Sequence, residues 1–392
     1  MIPFAQAYDI MLQAASLLGT EQVPLIDAAG RILAQDVTAD ISMPPFDKSA
    51  MDGYACRRVD LGRPLTIIET IPAGRMPTLP VGLGQCAKIM TGAPVPRGAD
   101  CVIMQEYTDA PTPDTIQFNG RTTESNICRA GEDLTCGDLV LRRGARIGPA
   151  QLAVLASVGV PCPLVARQPR VAIAATGSEL VTAEEKPTGA MIRDSNSVQL
   201  HTQVQGVGAI ATRLGIIPDT AEALSSAIQH AMPHHDLILL SGGVSTGAFD
   251  FVPATLQQCG FELLFESVAM QPGKPMVFGR HPNGVFCCGL PGNPVSTYVV
   301  FELLLKPFLL KQMGHVHIPT LAAARMGERF ERRRTDRQNT IPVRFQTPDV
   351  VVPVTYHGSA HIHAMCAADA LLIVPVGVSN IAEGEAVHVR LP

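Results

Sequence analysis

Between residues 170 and 313 the sequence switches repeatedly between two hydrophobic patterns, and this alternation limits the fold more than any other feature. Runs at 171–175, 209–217, 237–240 and 285–290 read as strands, largely apolar and without a clear polar face. Helical spacing fills the intervals at 195–207, 221–231 and 253–259. A long helix is predicted over 294–313, with Asn293 as its cap and Pro294 in its first position. Strands without a polar face, separated by helices, predict a mainly parallel sheet covered on both sides.

Such sheets bind ligands beyond the carboxyl ends of their strands. Three polar loops follow predicted strands there. One is Thr176, Gly177, Ser178 and Glu179; another is Pro291, Gly292, Asn293 and Pro294. The third, Ser241-Gly-Gly-Val-Ser-Thr-Gly-Ala-Phe-Asp250, is the most informative. Gly242, Gly243 and Gly247 let the backbone approach a ligand, and Ser241, Ser245 and Thr246 add hydroxyls. A glycine-rich turn before a helix start makes an anion site from backbone N–H groups. The carboxylate of Asp250 beside it points to a divalent cation, since two anions would otherwise repel.

The flanking sequence has a different texture. Apolar spacing over 4–18 predicts an opening helix, and 41–137 carries short apolar runs among Pro and Gly turns, as in an all-β module. Helical texture returns at 148–160. The first domain is therefore expected to be discontinuous, 1–40 with 138–168, around a β domain at 41–137. The α/β domain spans 169–316. Runs at 350–355, 370–375 and 386–391 predict a small C-terminal β barrel or sandwich over 317–392.

At 392 residues the chain exceeds one core, and 46% hydrophobic against 17% charged residues rules out a disordered protein. A net charge of −5 without a long basic run argues against nucleic acid or an anionic membrane as partner. No segment approaches the roughly 18 uninterrupted apolar residues of a membrane span, and the first residues lack the basic region of a signal peptide. The ten cysteines contain no C-x-x-C, and the adjacent pair Cys287 and Cys288 lies in an apolar run. A reduced, cytoplasmic chain with structural thiols and no zinc site is expected.

Taken singly, several loops have plain readings. Asp52 before Gly53 reads as a turn, and Asp219 as the cap of the next helix. Asp194, Ser195 and Asn196 read as a cap, Arg332 to Arg334 as a solvated face, and His361 and His363 as alternating on a strand. Thr91 in Thr-Gly-Ala-Pro, and Asp133 after Gly131 and Glu132, fit either turns or an oxyanion site. Lys274, in a rigid Pro-Gly-Lys-Pro loop, fits a phosphate contact as well as solvent exposure.

Their order along the chain is more specific. Pro45-Phe-Asp-Lys-Ser-Ala-Met-Asp-Gly-Tyr-Ala55, the Thr91 motif, Gly131-Glu-Asp133, the Glu179 loop, Ser241 to Asp250, Pro272-Gly-Lys-Pro275 and Leu290-Pro-Gly-Asn-Pro-Val-Ser296 follow one another. In this the chain resembles, nearly end to end, the MoeA family of molybdopterin molybdenumtransferases, related to the gephyrin E domain. The resemblance implies an α/β multidomain protein: an elongated N-terminal domain with an inserted β domain, a molybdopterin-binding α/β domain and a C-terminal β barrel-like domain. It implies a homodimer whose active cleft is shared between subunits. It further implies adenylylated molybdopterin and molybdate as substrates, release of AMP, and Mg²⁺ as cofactor.

On that reading Asp219, Asp250 and Glu179 hold the metal, and Asp52 and Asp133 join them as catalytic acids. Thr176, Gly177, Ser178, Ser241, Gly242, Gly243, Ser245, Pro291, Gly292, Asn293 and Pro294 cradle the pterin phosphate. Thr91 and Lys274 serve the oxyanion. Contacts with the adenylyltransferase that makes the substrate and with acceptor molybdoenzymes are further implications. The chain departs from the family pattern at Gln271 and Ser267, where basic residues are common, and at Lys48, often Asn. Cys128 occupies the usual Arg position, with Arg129 one residue late. The acids stay while basic groups thin out. A carrier of molybdopterin without efficient insertion, and a tungstate-inserting variant, therefore stand as alternatives.

Overall fold

Helix α1 (Phe4–Ala14) is shorter than its apolar spacing predicts, because the backbone turns extended at Ala15 (φ −63°, ψ 110°). The computed structural model describes residues 1–244, 251–355 and 358–391. The chain forms two compact units. One comprises Asp36–Arg142 and Pro149–Pro163; the other comprises Met1–Gln35, Arg143–Gly148 and Leu164–Pro392.

The smaller unit is built on a six-stranded sheet. Its strands are β1 (Gly53–Cys56), β2 (Leu65–Ile71), β3 (Gln85–Ile89), β4 (Cys101–Met104), β5 (Thr108–Thr112) and β6 (Thr115–Phe118), in the order β4-β1-β3-β2-β6-β5. Side chains alternate between faces along a strand. Cys56, Cys86, Cys101 and Ile103 accordingly pack in one core, while Ala55, Ala87, Ile89 and Val102 pack in another. Helix α2 (Pro149–Ser157) and the 3-10 turns Arg58–Asp60 and Gln105–Tyr107 belong to the same unit.

In the larger unit the expected alternation appears as β7 (Arg170–Thr176), α3 (Asn196–Gly206), β8 (Ile210–Ile217), α4 (Ala221–Ala231), β9 (Leu237–Ser241) and α5 (Val252–Gln258). Two strands that the apolar pattern did not announce follow, β10 (Glu262–Ser267) and β11 (Pro275–Arg280), and then β12 (Phe286–Leu290). The sheet order is β8-β7-β9-β12-β11-β10. Its first four strands are parallel, and β11 and β10 add an antiparallel edge. Every residue of β9 and β12 is buried. Val171, Ile173, Leu237, Leu239 and Phe286 face α1, α3 and the C-terminal helical segment. Ala172, Ala174, Ile238, Leu240 and Cys287 face α4 and α5.

The single helix expected over 294–313 is interrupted. It runs as α6 (Pro294–Val300), a π-helical turn (Phe301–Leu305) and α7 (Lys306–Gln312). Pro307 explains the break, because it lacks the N–H that would bond the Leu303 carbonyl, and a wider turn absorbs the mismatch. The turn places Glu302 in a buried network, accepting from Lys306 Nζ at 3.0 Å and Gln203 Nε2 at 3.0 Å. Arg390 Nη2 donates to the Glu302 carbonyl at 2.8 Å.

That arginine ends the C-terminal barrel. Strands β13 (Leu321–Met326), β14 (Gln338–Thr347), β15 (Val350–Pro353), β16 (Ala370–Val374) and β17 (Ala386–Arg390) close on themselves, with β14 pairing both β15 and β16. The barrel-or-sandwich expectation thus resolves to a closed five-stranded barrel. Two local readings fail, the second in part. His361 precedes a 3-10 turn (Ile362–Ala367) and His363 lies within it, so they do not alternate on a strand. The solvated face expected over Arg332 to Arg334 holds at Arg333 and Arg334, which are exposed, and fails at Arg332, whose guanidinium donates to the carbonyls of Val378, Arg337 and Pro375.

Phe308 is fully buried, edge-on to Phe278 at 5.4 Å and Phe286 at 5.1 Å. Phe308→Ala should destabilise the larger unit by about 3–5 kcal/mol, read as a lowered midpoint in urea; an unchanged midpoint would place the sheet's packing elsewhere.

Candidate active site

The parallel strands β7, β9 and β12 end together, and their loops converge. Thr176, Glu179, Asp219, Ser241, Gly242, Gly243, Pro291, Gly292, Asn293 and Pro294 all line one cleft of about 430 Å³. Gly177 and Ser178 belong to the same rim: the Gly177 N–H donates to the Ile217 carbonyl at 3.3 Å, and the Ser178 N–H to Asp219 Oδ2 at 3.2 Å. Two expected residues, Ser245 and Asp250, lie outside the described residues.

Close backbone approach at the rim requires glycine. Gly242 has φ +111°, and a Cβ there would meet the Thr176 carbonyl oxygen at 2.4 Å. Asn196, read from sequence as part of a cap, has a more consequential place. Its Nδ2 donates to Ser241 Oγ at 2.7 Å and to the Gly292 carbonyl at 2.7 Å, joining the loops after β9 and β12. Asn196 Oδ1 and Thr176 Oγ1 are buried and have no partner among the described residues. Capping of α3 falls to Asp194, which accepts from the Ser197 N–H at 3.0 Å and from its hydroxyl.

Asp219 is not the cap of α4, a correction to its sequence reading. Thr220 is, accepting from the Ala223 N–H at 3.2 Å, because α4 starts immediately after it. Asp219 instead secures the Ser178 backbone and presents a carboxylate to the cleft. Asn293 stands at the N-terminus of α6 but makes no side-chain cap; its Nδ2 donates to Ser359 Oγ at 2.9 Å.

A second cavity of about 390 Å³ adjoins the first through Pro275, Pro291 and Asn293. Lys274 and Arg337 line it with Gln271, Ser296 and Ser359. Two cations and two hydroxyls suit a small oxyanion. The sequence separation of Lys274 and Arg337 hides this pocket. Parallel pairing of Met270 with Gln338 at the edge of the barrel brings the two segments side by side.

In the smaller unit Asp52 Oδ1 accepts from the Thr91 N–H at 2.6 Å and from the Thr91 hydroxyl at 2.9 Å. The backbone bond first, then the hydroxyl, holds the Asp52 carboxyl below its ordinary value. Asp52 and Gly53 are therefore more than a free turn: a Cβ on Gly53 would stand 1.9 Å from the Ile103 carbonyl oxygen. Asp133 lies in the neighbouring sequence turn, its N–H donating to the Met43 carbonyl at 3.0 Å and its side chain exposed. Arg129, the displaced cation, donates to Asp47 Oδ2 at 2.6 Å. The Ala130 N–H and this arginine hold the Asp47 carboxyl low.

Three family models match along the chain: MoeA N-terminal region (domain I and II) over residues 2–159, probable molybdopterin binding domain over 172–311, and MoeA C-terminal region (domain IV) over 323–391. A molybdopterin molybdenumtransferase of Bacillus subtilis is 34% identical over 95% of this chain and 90% of that protein. One of Haemophilus influenzae is 34% identical over 100% and 98%. The chain belongs to the MoeA family. Its fold matches the crystal structure of the molybdopterin biosynthesis moeA protein from Pyrococcus horikoshii OT3, with a TM-score of 0.86, 28% identity and full coverage of both chains.

Against the MoeA pattern, Gln271 lies on the wall of the cationic pocket, where the family commonly has lysine. Cys128 pairs with Lys48 across two short strands, and burial and then Glu132 push its thiol up. Arg129 is already matched by Asp47, so it restores no unpaired charge.

The Asp52 carboxyl should titrate below the ordinary 3.8 in a carbon-13 NMR titration. Thr91→Val, which keeps the backbone N–H, should move it partly back. Because the folded value is the lower one, the linked stability is present above the unfolded value and is lost as pH falls through the folded one. Titration at the ordinary value in both proteins would remove the Asp52–Thr91 bond.

Proposed function

We propose that this MoeA-family transferase of molybdenum cofactor biosynthesis inserts molybdate into adenylylated molybdopterin, with Mg²⁺ as cofactor and AMP released. The observation that carries the reading is adjacency. A cleft lined by hydroxyls, carboxylates and close-approach backbone shares a wall with a pocket lined by Lys274 and Arg337. A ligand joining a phosphoanhydride to a site for a tetrahedral dianion needs these two chemistries side by side.

The donor set fits Mg²⁺. Glu179 and Asp219 offer hard carboxylate oxygens, and Thr176 Oγ1 is a buried oxygen without a partner among the described residues. Mg²⁺ characteristically takes one or two carboxylates together with substrate phosphates and water. Asp250, the further expected ligand, lies outside the described residues. Bound there, the ion would neutralise charge on the bridging phosphates as the anhydride is cleaved.

The chain's own residues supply the positioning. Asp219 fixes the Ser178 turn while facing the cleft, and Asn196 fixes the Ser241 and Gly292 loops. Lys274 and Arg337 balance the dianion, and the Ser296 and Ser359 hydroxyls donate to its oxygens. Arg337 suits the task because its side chain is only 14% exposed and its nearest carboxylate among the described residues, Asp336, stands at 3.7 Å. Cleaving a phosphoanhydride depends on positioning and charge balance more than on covalent help.

The reading extends to a cytoplasmic homodimer in which Asp52, Thr91 and Asp133 of one chain serve the cleft of the other. It also keeps the division into an elongated N-terminal domain, a β insert, an α/β domain and a β barrel. A nucleotidyl-transferring enzyme would supply the adenylylated pterin, and molybdoenzymes would accept the product. Gln271 favours one variant of the reading, in which the protein binds molybdopterin but inserts molybdate slowly, because a neutral amide replaces a charge on the pocket wall.

With adenylylated molybdopterin and Mg²⁺, Lys274→Ala should raise the molybdate concentration for half-maximal turnover about ten- to a hundredfold. Asp219→Asn should raise the Mg²⁺ requirement of AMP release. Tight pterin binding by the wild-type protein without AMP release would establish the carrier variant and overturn insertion.

A further inference from the structure

The cleft that we assign to the phosphoanhydride is rich in acids. Glu179, Asp194 and Asp219 line it, and Arg193 is the only basic residue among the described residues that do. Arg193 lies on a short excursion between β7 and α3, where Leu180–Val181 and Ile192–Arg193 pair in parallel. The pairing is reinforced by the Ile192 N–H donating to the Glu179 carbonyl at 2.8 Å. The backbone of Arg193 is thereby fixed between Glu179 and the Asp194 cap of α3.

The side chain is half committed. Its Nε donates to the Glu185 carbonyl at 2.9 Å, which orients the guanidinium. Among the described residues it forms no ion pair, and no other hydrogen bond occupies its two terminal nitrogens. An arginine held at Nε keeps both Nη groups for a phosphate, the bidentate geometry for which a guanidinium is suited. Thr176 Oγ1 and Asn196 Oδ1, on the same cleft and without a partner among the described residues, are an independent sign that a polar ligand completes this wall.

We infer that Arg193 is a phosphate-binding residue of the cleft, contacting the phosphoanhydride oxygens of the adenylylated pterin through Nη1 and Nη2. This rests on the functional reading above and deepens it. The chain has fewer basic groups around the oxyanion pocket, and Arg193 places one of its remaining cations on the phosphate side. The selectivity that follows is for phosphorylated over phosphate-free pterins.

The test is calorimetric binding to the full-length protein with Mg²⁺, at low and high salt, using adenylylated molybdopterin and a phosphate-free pterin as probes. Arg193→Gln should weaken the adenylylated ligand about ten- to a hundredfold and flatten its salt dependence, leaving the phosphate-free pterin unchanged. Arg193→Lys should keep the salt dependence and part of the affinity. If Arg193 only pins the loop through Glu185, both variants lose affinity equally and the phosphate-free pterin weakens too, which overturns the assignment. Wild-type affinity in Arg193→Gln also overturns it while leaving the functional reading in place. A wild-type protein that binds neither pterin overturns both.

Discussion

The side-chain amide of Asn196 joins two loops that leave different strands of the central sheet. One of its N–H groups holds Ser241 at the end of β9, and the other holds the Gly292 carbonyl beyond β12. Both bonds are about as short as neutral hydrogen bonds become; the bond to Ser241 is buried and the bond to Gly292 partly so, and an unsatisfied partner is costly away from water. The parallel register brings Thr176, Ser241 and Leu290 to one edge, but register alone leaves the loops beyond them free. With Asn196 in place, the loops form one wall, and the close approach of Gly242 to Thr176 becomes possible.

That wall serves two cavities of different character. On one side acids and hydroxyls face a volume suited to phosphate and a hard cation. On the other, Lys274 and Arg337 face a pocket suited to an oxyanion. The barrel completes the second cavity, because Met270 pairs with Gln338 and Ser359 takes the hydrogen bond from Asn293. Pro275, Pro291 and Asn293 line both cavities, so the two environments lie side by side in the larger unit.

The parallel sheet and its rim were largely legible from sequence because buried parallel strands lack a polar face and end at glycine-bearing turns. Helix α4 spans the predicted 221–231, and β9 extends the predicted run only to Ser241. Other features depend on tertiary context. β11 starts at Pro275 and β10 begins and nearly ends on glutamates, so neither announces a strand, yet antiparallel pairing at the sheet edge tolerates both. Pro307 interrupts the helix expected over 294–313, and the apolar periodicity that runs straight through it hides the break. Asp219 resembled a cap until the helix proved to start one residue beyond Thr220. Arg337 had no local signal at all: its pocket exists only after the barrel closes. Asn196 looked like one polar residue at a helix start, and its two acceptors lie 45 and 96 positions away.

Anomalous diffraction at the molybdenum edge, from crystals equilibrated with molybdate, tests the division of labour between the two cavities most directly. A single strong peak is expected in the pocket between Lys274, Arg337 and Ser296. The peak should fade in Lys274→Ala crystals. A peak on the Glu179–Asp219 side of Asn293, or one that survives loss of the lysine, would contradict that division.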